Sequence, residues 1–153
     1  VVPAPEEAAL AAALRASGVA LGDSAAWRRL RVEHELPEFG IDYGVGDNPH
    51  EAGLDTRAVS FTKGCYLGQE VVCMQDMRGK VKRRVTRLEL EGDAVPEAGT
   101  AVFGDGKPVG EVTSAASVAS GTVVALARLT RPWFEPGRRV EVGESAAVAR
   151  PSV

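Results

Sequence analysis

Beyond Gly79, glycine, proline and aspartate cut the chain into runs too short for ordinary helices, and this punctuation constrains the fold more than any other feature. The runs span 85–90, 101–103, 109–114, 123–129 and 140–142, and most are rich in valine and leucine. Gly104-Asp105-Gly106 reads as a hairpin turn, because glycine and aspartate tolerate the positive φ that such turns need. Strands this short, at this spacing, predict a small antiparallel barrel or sandwich. Trp133 and Phe134, which follow Pro132, are expected to fill its core or cover one end. Residues 115–121, rich in serine and alanine, read as a loop.

The first 79 residues have a different texture. Pro5 suits the first turn of a helix, Glu6 and Glu7 complement its positive end, and residues 8–16 are strong helix formers, so a helix is expected there that ends at Gly18. Asp23 or Ser24 can cap a second helix with an apolar stripe through Trp27 and Leu30, stopped by Pro37 soon after Leu36. Residues 38–54 contain Gly40, Gly44, Gly46, Asp47, Asn48, Pro49 and Gly53, a density of turn formers that predicts a loop. A short strand over 58–61, a break at Lys63-Gly64, and a helix over 66–77 with Leu67, Val71 and Met74 on one side complete the segment. The expected fold class is α+β: a helical N-terminal domain over 1–79 and an antiparallel β-barrel domain over 80–153.

Charge and composition narrow the partners. With a formal net charge of −3 the chain as a whole has no electrostatic footprint for nucleic acid, so RNA is not an expected partner. No apolar run approaches the roughly 20 residues a membrane-spanning helix needs. Two cysteines, Cys65 and Cys73, and no secretory leader fit a reducing cytoplasmic compartment. If both lie on one helix they are roughly 12 Å apart, too far for a disulfide. Two cysteines and two histidines without CxxC or HxxxH spacing predict no metal site. Val1 is not an initiator methionine, and the chain reads as part of a longer one.

The stretch Ser60-Phe61-Thr62-Lys63-Gly64-Cys65-Tyr66-Leu67-Gly68-Gln69-Glu70 is the most informative for chemistry. Gly64 and Gly68 allow close backbone approach, and Cys65 is expected at a helix start, where unpaired amides and the Lys63 ammonium favour a thiolate. Spacing alone fits a small buried cysteine and a solvated lysine equally well. Glu33 falls at the edge of the second helix's stripe, where a carboxylate can accept a fork of N–H donors; the same residue could instead pair with Arg29, four positions earlier. Arg78, Lys80, Lys82, Arg83, Arg84 and Arg87 form a basic cluster, expected to be a solvated approach to the first strand with Val81 and Val85 facing inward. His50, Asp42 and Glu51 read as solvated turn residues of the glycine-rich loop.

The run KGCYLGQE resembles the signature of the YgfZ family, folate-binding proteins related to the T-protein of glycine cleavage (aminomethyltransferase) and implicated in assembly or repair of iron–sulfur enzymes. Leu30-Arg31-Val32-Glu33 resembles the family's helix with a pterin-binding glutamate, residues 49–54 its connecting loop, and residues 109–114 a strand of its terminal barrel. The likeness covers most of residues 25–145. Where the family usually has a small residue and glycine after the glutamate, this chain has His34 and Glu35, and Met74 stands where an arginine is expected. The resemblance implies tetrahydrofolate or a derivative as cofactor, bound by Glu33, Arg31, Tyr66 and Gln69, and a reactive thiol at Cys65 assisted by Lys63. It implies an accessory protein with iron–sulfur clients as partners. The alternative it leaves open is a tetrahydrofolate-dependent aminomethyltransferase or methyltransferase, which needs an acid or base at the one-carbon unit and no cysteine at position 65. A third possibility is a plain interaction module built on the barrel. The family's first half, with the aspartate the T-protein uses in transfer, is not in this sequence, so complete catalysis by these residues alone is not expected.

Overall fold

The structure, a computed structural model, describes residues 3–79, 81–118 and 120–149, with backbone alone at Ala4 and Arg78. Among the described residues the strands are β1 (Arg83–Leu90), β2 (Ala101–Gly104), β3 (Lys107–Ser117), β4 (Val123–Thr130), β5 (Arg139–Val142) and β6 (Ser145–Ala149). They close into an antiparallel barrel in the order β1-β4-β3-β2-β5-β6. The fold is α+β, with this barrel as its β part. The expected hairpin joins β2 to β3, with Asp105 at φ 49 and Gly106 at φ 72. β6 was not expected, because Ser-Ala-Ala-Val-Ala has little intrinsic strand preference. It forms because it is the closing strand, pairing with β5 on one side and with β1 through Leu88↔Ala149 and Leu90↔Ala147 on the other. Closure leaves the barrel without a free edge.

The interior is packed by Leu88, Leu90, Val102, Val112, Leu129 and Val142, among others. Trp133 and Phe134 pack against that core, as expected. Trp133 lies so close to β2 that a Cβ on Gly104 would sit 2.6 Å from its ring, so only glycine fits there. β4 is buried on both faces over most of its length. Its outward-facing Val124 meets Val32, Val118 and Ala116 in a second, smaller cluster.

The helices are α1 (Glu7–Ala16), α2 (Ser24–Glu33), α3 (Asp55–Ala58) and α4 (Gln69–Arg78). α2 starts at an Asp23 cap whose Oδ1 accepts the Ala26 N–H at 2.7 Å. It ends earlier than the proline suggested. The Leu36 N–H donates to the Arg31 carbonyl at 2.7 Å and the Glu35 N–H to Val32 at 3.3 Å, a Schellman ending with Glu35 at φ 53. Glu35 thus takes the left-handed backbone of the position where the resembled family carries glycine.

Other local expectations are corrected. The Trp27–Leu30 stripe is not the packing face: both are about half exposed, and the helix buries Arg31 and Val32 instead. No strand forms over 58–61, since α3 occupies residues up to Ala58 and the chain then runs irregularly. The helix expected from Tyr66 starts at Gln69, after Gly68 at φ 84, and β3 extends through Ser117 into the stretch read as a loop. Val85 is buried, and its N–H donates to the Glu51 carbonyl at 2.7 Å, tying β1 to the 38–54 loop.

Candidate functional site

The 38–54 loop, which looked like a solvated connection, carries the most buried carboxylate of the chain. Asp42 is 0% exposed. Its Oδ2 accepts from Arg31 Nη1 and from the Glu38 N–H (2.9 Å), and its Oδ1 accepts from Thr113 Oγ1 (2.6 Å) and Ser114 Oγ (2.7 Å). Neighbouring residues of a regular strand point to opposite faces. Here β3 has a bulge: Val112 pairs with Ala127 and Ser114 with Leu126, so Thr113 is an extra residue and both hydroxyls can turn toward one carboxylate.

Arg31 completes the cluster. It is 2% exposed, with Nε 2.9 Å from Glu38 Oε2 and Nη2 2.6 Å from Ser114 Oγ. The guanidinium implied as a cofactor ligand is therefore taken up by loop and barrel. Arg128 continues the network, donating to the Asp42 carbonyl at 3.0 Å and to Asp47 at 2.9 Å.

The basic cluster is also not simply solvated. Arg83 reaches Asp47 (3.1 Å) and Glu51 (3.4 Å), Arg84 pairs with Asp55 (2.7 Å), and Arg87 lies 3.0 Å from Glu89 and 3.8 Å from Glu35. Alternating charge thus sews β1 to the loop. Lys80 and the Arg78 side chain fall outside the described residues.

Glu33, the last residue of α2, is half-exposed. It lines a cleft of about 440 Å³ with Gly22, Asp23, Ala26, Trp27, Arg29 and Leu30. A second, smaller cleft of about 200 Å³ holds Glu33, His34, Glu35, Arg57 and Arg87. Arg57 closes the end of α2 by donating to the His34 carbonyl at 2.7 Å. Neither cleft is lined by the 38–54 loop.

Lys63, Cys65, Tyr66 and Gln69 of the KGCY segment line neither Glu33 cleft. Cys65 is exposed and Cys73 half-buried. Because α4 begins at Gln69, Cys65 precedes the helix by four residues and does not sit on its first amides. Lys63 Nζ lies 4.7 Å from the Tyr66 ring centroid, a cation–π contact, and the buried Tyr66 hydroxyl has no hydrogen-bond partner among the described residues. Gln69 is half-buried in the first turn of α4. His50, read as a solvated turn residue, is buried, with Nε2 3.4 Å from Asp76 of α4 and its ring 6.3 Å from that of Phe61. Among the described residues no cluster of three or more His, Cys, Asp or Glu could hold a metal, and no helix is long and apolar enough to cross a membrane.

Residues 83–149 match the sequence profile of the glycine cleavage T-protein C-terminal barrel domain. The barrel is of the T-protein C-terminal type. An aminomethyltransferase from Staphylococcus saprophyticus is 35% identical over 115 residues, 74% of this chain and 31% of that protein. One from Nostoc sp. is 36% identical over 125 residues, covering 81% and 33% respectively. The glycine cleavage system aminomethyltransferase T from Bartonella henselae superposes with a TM-score of 0.80 over 96% of this chain and 42% of its own, at 24% identity, so the T-protein likeness of fold extends to the helices as well. These matches support a T-protein-like superfamily relationship. The chain spans about a third of the length of the curated relatives it matches.

Proposed function

We propose that these residues form the C-terminal part of a tetrahydrofolate-dependent aminomethyltransferase or methyltransferase of the T-protein type, with Glu33 as the group that receives the pterin ring. On this reading residues 1–79 belong to the folate-binding domain, residues 80–153 are the terminal barrel, and the protein works in the cytoplasm. The observation that carries it is Glu33 lining one cleft with Trp27 and Leu30. The aminomethyltransferase relatives support the same reading.

The residues fit such a cofactor. A pterin has two flat apolar faces and an edge with adjacent N–H donors, while folates end in carboxylates. Trp27 and Leu30 offer apolar surface, the Glu33 carboxylate can accept paired N–H groups, and Arg29 in the same cleft is a cation within its lining. Bound tetrahydrofolate would supply the nitrogen that accepts or donates a one-carbon unit. The chain's own contribution is to bind and orient that ring; an acid or base at the one-carbon unit belongs to the part of the protein beyond these residues. Titration of the intact parent with tetrahydrofolate, with Glu33 present and as Glu33→Ala, tests this: affinity should fall by about tenfold or more, and an unchanged affinity would remove Glu33 from the site.

A second reading is favoured by the exposed Cys65 within KGCYLGQE: a folate-linked accessory protein for iron–sulfur enzymes, with client proteins as partners and Tyr66 and Gln69 near the cofactor. Timed alkylation of the folded protein, read at each cysteine by mass spectrometry, should modify Cys65 before Cys73. Loss of iron–sulfur enzyme activity in cells carrying Cys65→Ala, with folate binding retained, would favour this reading over the transferase.

A further inference from the structure

We infer that Asp42 is a positioning residue for the folate site: it sets the rotation of α2 on the barrel and thereby holds Glu33 beside Arg57 and Arg87 in the smaller of its two clefts. The inference rests on the folate reading of Glu33 proposed above.

α2 is attached to the barrel by little apolar surface. Of its side chains only Arg31 and Val32 are buried, while Trp27 and Leu30 are about half exposed. One valine against Val118, Val124 and Ala116 is a non-directional contact that limits the distance of the helix but not its rotation. Direction comes from Arg31, whose planar fork is gripped by Glu38, Asp42 and Ser114 at once. Asp42 is the member of that grip with no exposure, fixed in turn by the two hydroxyls of the β3 bulge and by the Glu38 N–H. Loop, bulge and helix therefore meet at one carboxylate.

Glu33 follows Arg31 by two residues, about 200° around the helix at 3.6 residues per turn. With Arg31 held against β3, Glu33 lines the smaller cleft beside Arg57 and beside Arg87 of β1, as well as the larger cleft formed by α2 and its cap. A rotation by one residue, about 100°, would carry Glu33 away from Arg57 and Arg87, which lie outside α2, whereas the larger cleft, lined only by residues 22–33, would turn with the helix. A buried ion pair of this kind adds little stability over apolar side chains of similar volume, so an orienting role accounts for it better than a stabilising one.

Asp42→Asn tests the idea with almost no change of volume. Asparagine has one acceptor oxygen, and serving Thr113 and Ser114 with it turns the NH₂ toward the Arg31 guanidinium. Tetrahydrofolate affinity would be measured by calorimetry in the intact parent for the unmodified protein, Glu33→Gln, Asp42→Asn and the double variant. Each single change is expected to weaken binding by about tenfold, and the double variant by little more than Glu33→Gln alone, because both act through the same carboxylate. A merely structural Asp42 would add its loss to that of Glu33→Gln. Additive losses, or a folded Asp42→Asn protein with the parent affinity, would overturn the inference. Should Asp42→Asn not fold, Ser114→Ala removes only the hydroxyl that bridges Arg31 and Asp42; a loss of about threefold, again absent in the Glu33→Gln background, supports the inference, and unchanged affinity overturns it. If Glu33→Gln itself binds like the parent, the folate reading falls and the positioning role with it. Weakened Glu33→Gln beside unaffected Asp42→Asn removes the positioning role alone.

Discussion

The barrel and the segment from Phe61 to Met77 use apolar residues in opposite ways. In the barrel Leu88, Val102, Val123 and Leu129 are each 0% exposed. In the segment Leu67 is 104% exposed, Met77 86%, Val71 60% and Phe61 43%. Similar side chains thus complete a core in one region and stay largely exposed in the other. A closed barrel satisfies its own backbone and apolar groups. The KGCY segment and α4 leave apolar side chains exposed on either side of the exposed Cys65 in the sequence.

Truncating the barrel interior should give the largest effect. Leu88→Ala removes a fully buried side chain from a closed core and should cost about 2–5 kcal/mol in urea unfolding. A cost below about 1 kcal/mol would mean that the barrel can collapse around the void. Gly104→Ala attacks the same core, driving a methyl into the Trp133 ring that packs against it, and should cost about 1–3 kcal/mol with a change in Trp133 fluorescence. Asp23→Ala tests the helical segment, where one cap bond at 2.7 Å is lost, and should cost about 1 kcal/mol.

How far the sequence could be read follows the same division. Five of the barrel's strands and the β2–β3 hairpin were legible, because alternation and turn chemistry are local and agree with the final packing. β6 was not, since alanines become a strand only when two neighbours need a closing partner. The helix faces were misjudged for a related reason. Trp27 and Leu30 have the spacing of a packing stripe, yet the barrel meets α2 through Val32 and a charged Arg31, which hydrophobicity cannot flag. Asp42 looked like one more turn residue in a glycine-rich loop. Its burial depends on two adjacent hydroxyls, Thr113 and Ser114, more than 70 residues away, which a bulge brings to one side. Two neighbouring hydroxyl residues in a predicted strand were the available hint, since a regular strand would point them apart. The basic cluster failed similarly, its acids being spread over the loop and α3. What the sequence did carry for the KGCY segment was its motif, but α4 starts three residues later than the motif suggests, so Cys65 lies four residues before the helix rather than one.

The smallest effect is expected at Leu67, and there the contrast between the two regions can be broken. A side chain that is 104% exposed has no buried area to lose, so Leu67→Ser should leave the stability of residues 1–153 within about 0.5 kcal/mol of the unmodified chain. The same substitution in the intact parent asks whether other parts of that protein cover the segment. A fully buried leucine contributes about 2 kcal/mol through removal of its surface from water. A loss of that size in the parent, with none in the 153-residue chain, would mean that the KGCY face packs against the rest of the parent and that Cys65 lies at the rim of that contact. A loss within 0.5 kcal/mol in both would leave the segment a true surface, open to partners at the cysteine, and the two regions would then differ in purpose as much as in packing.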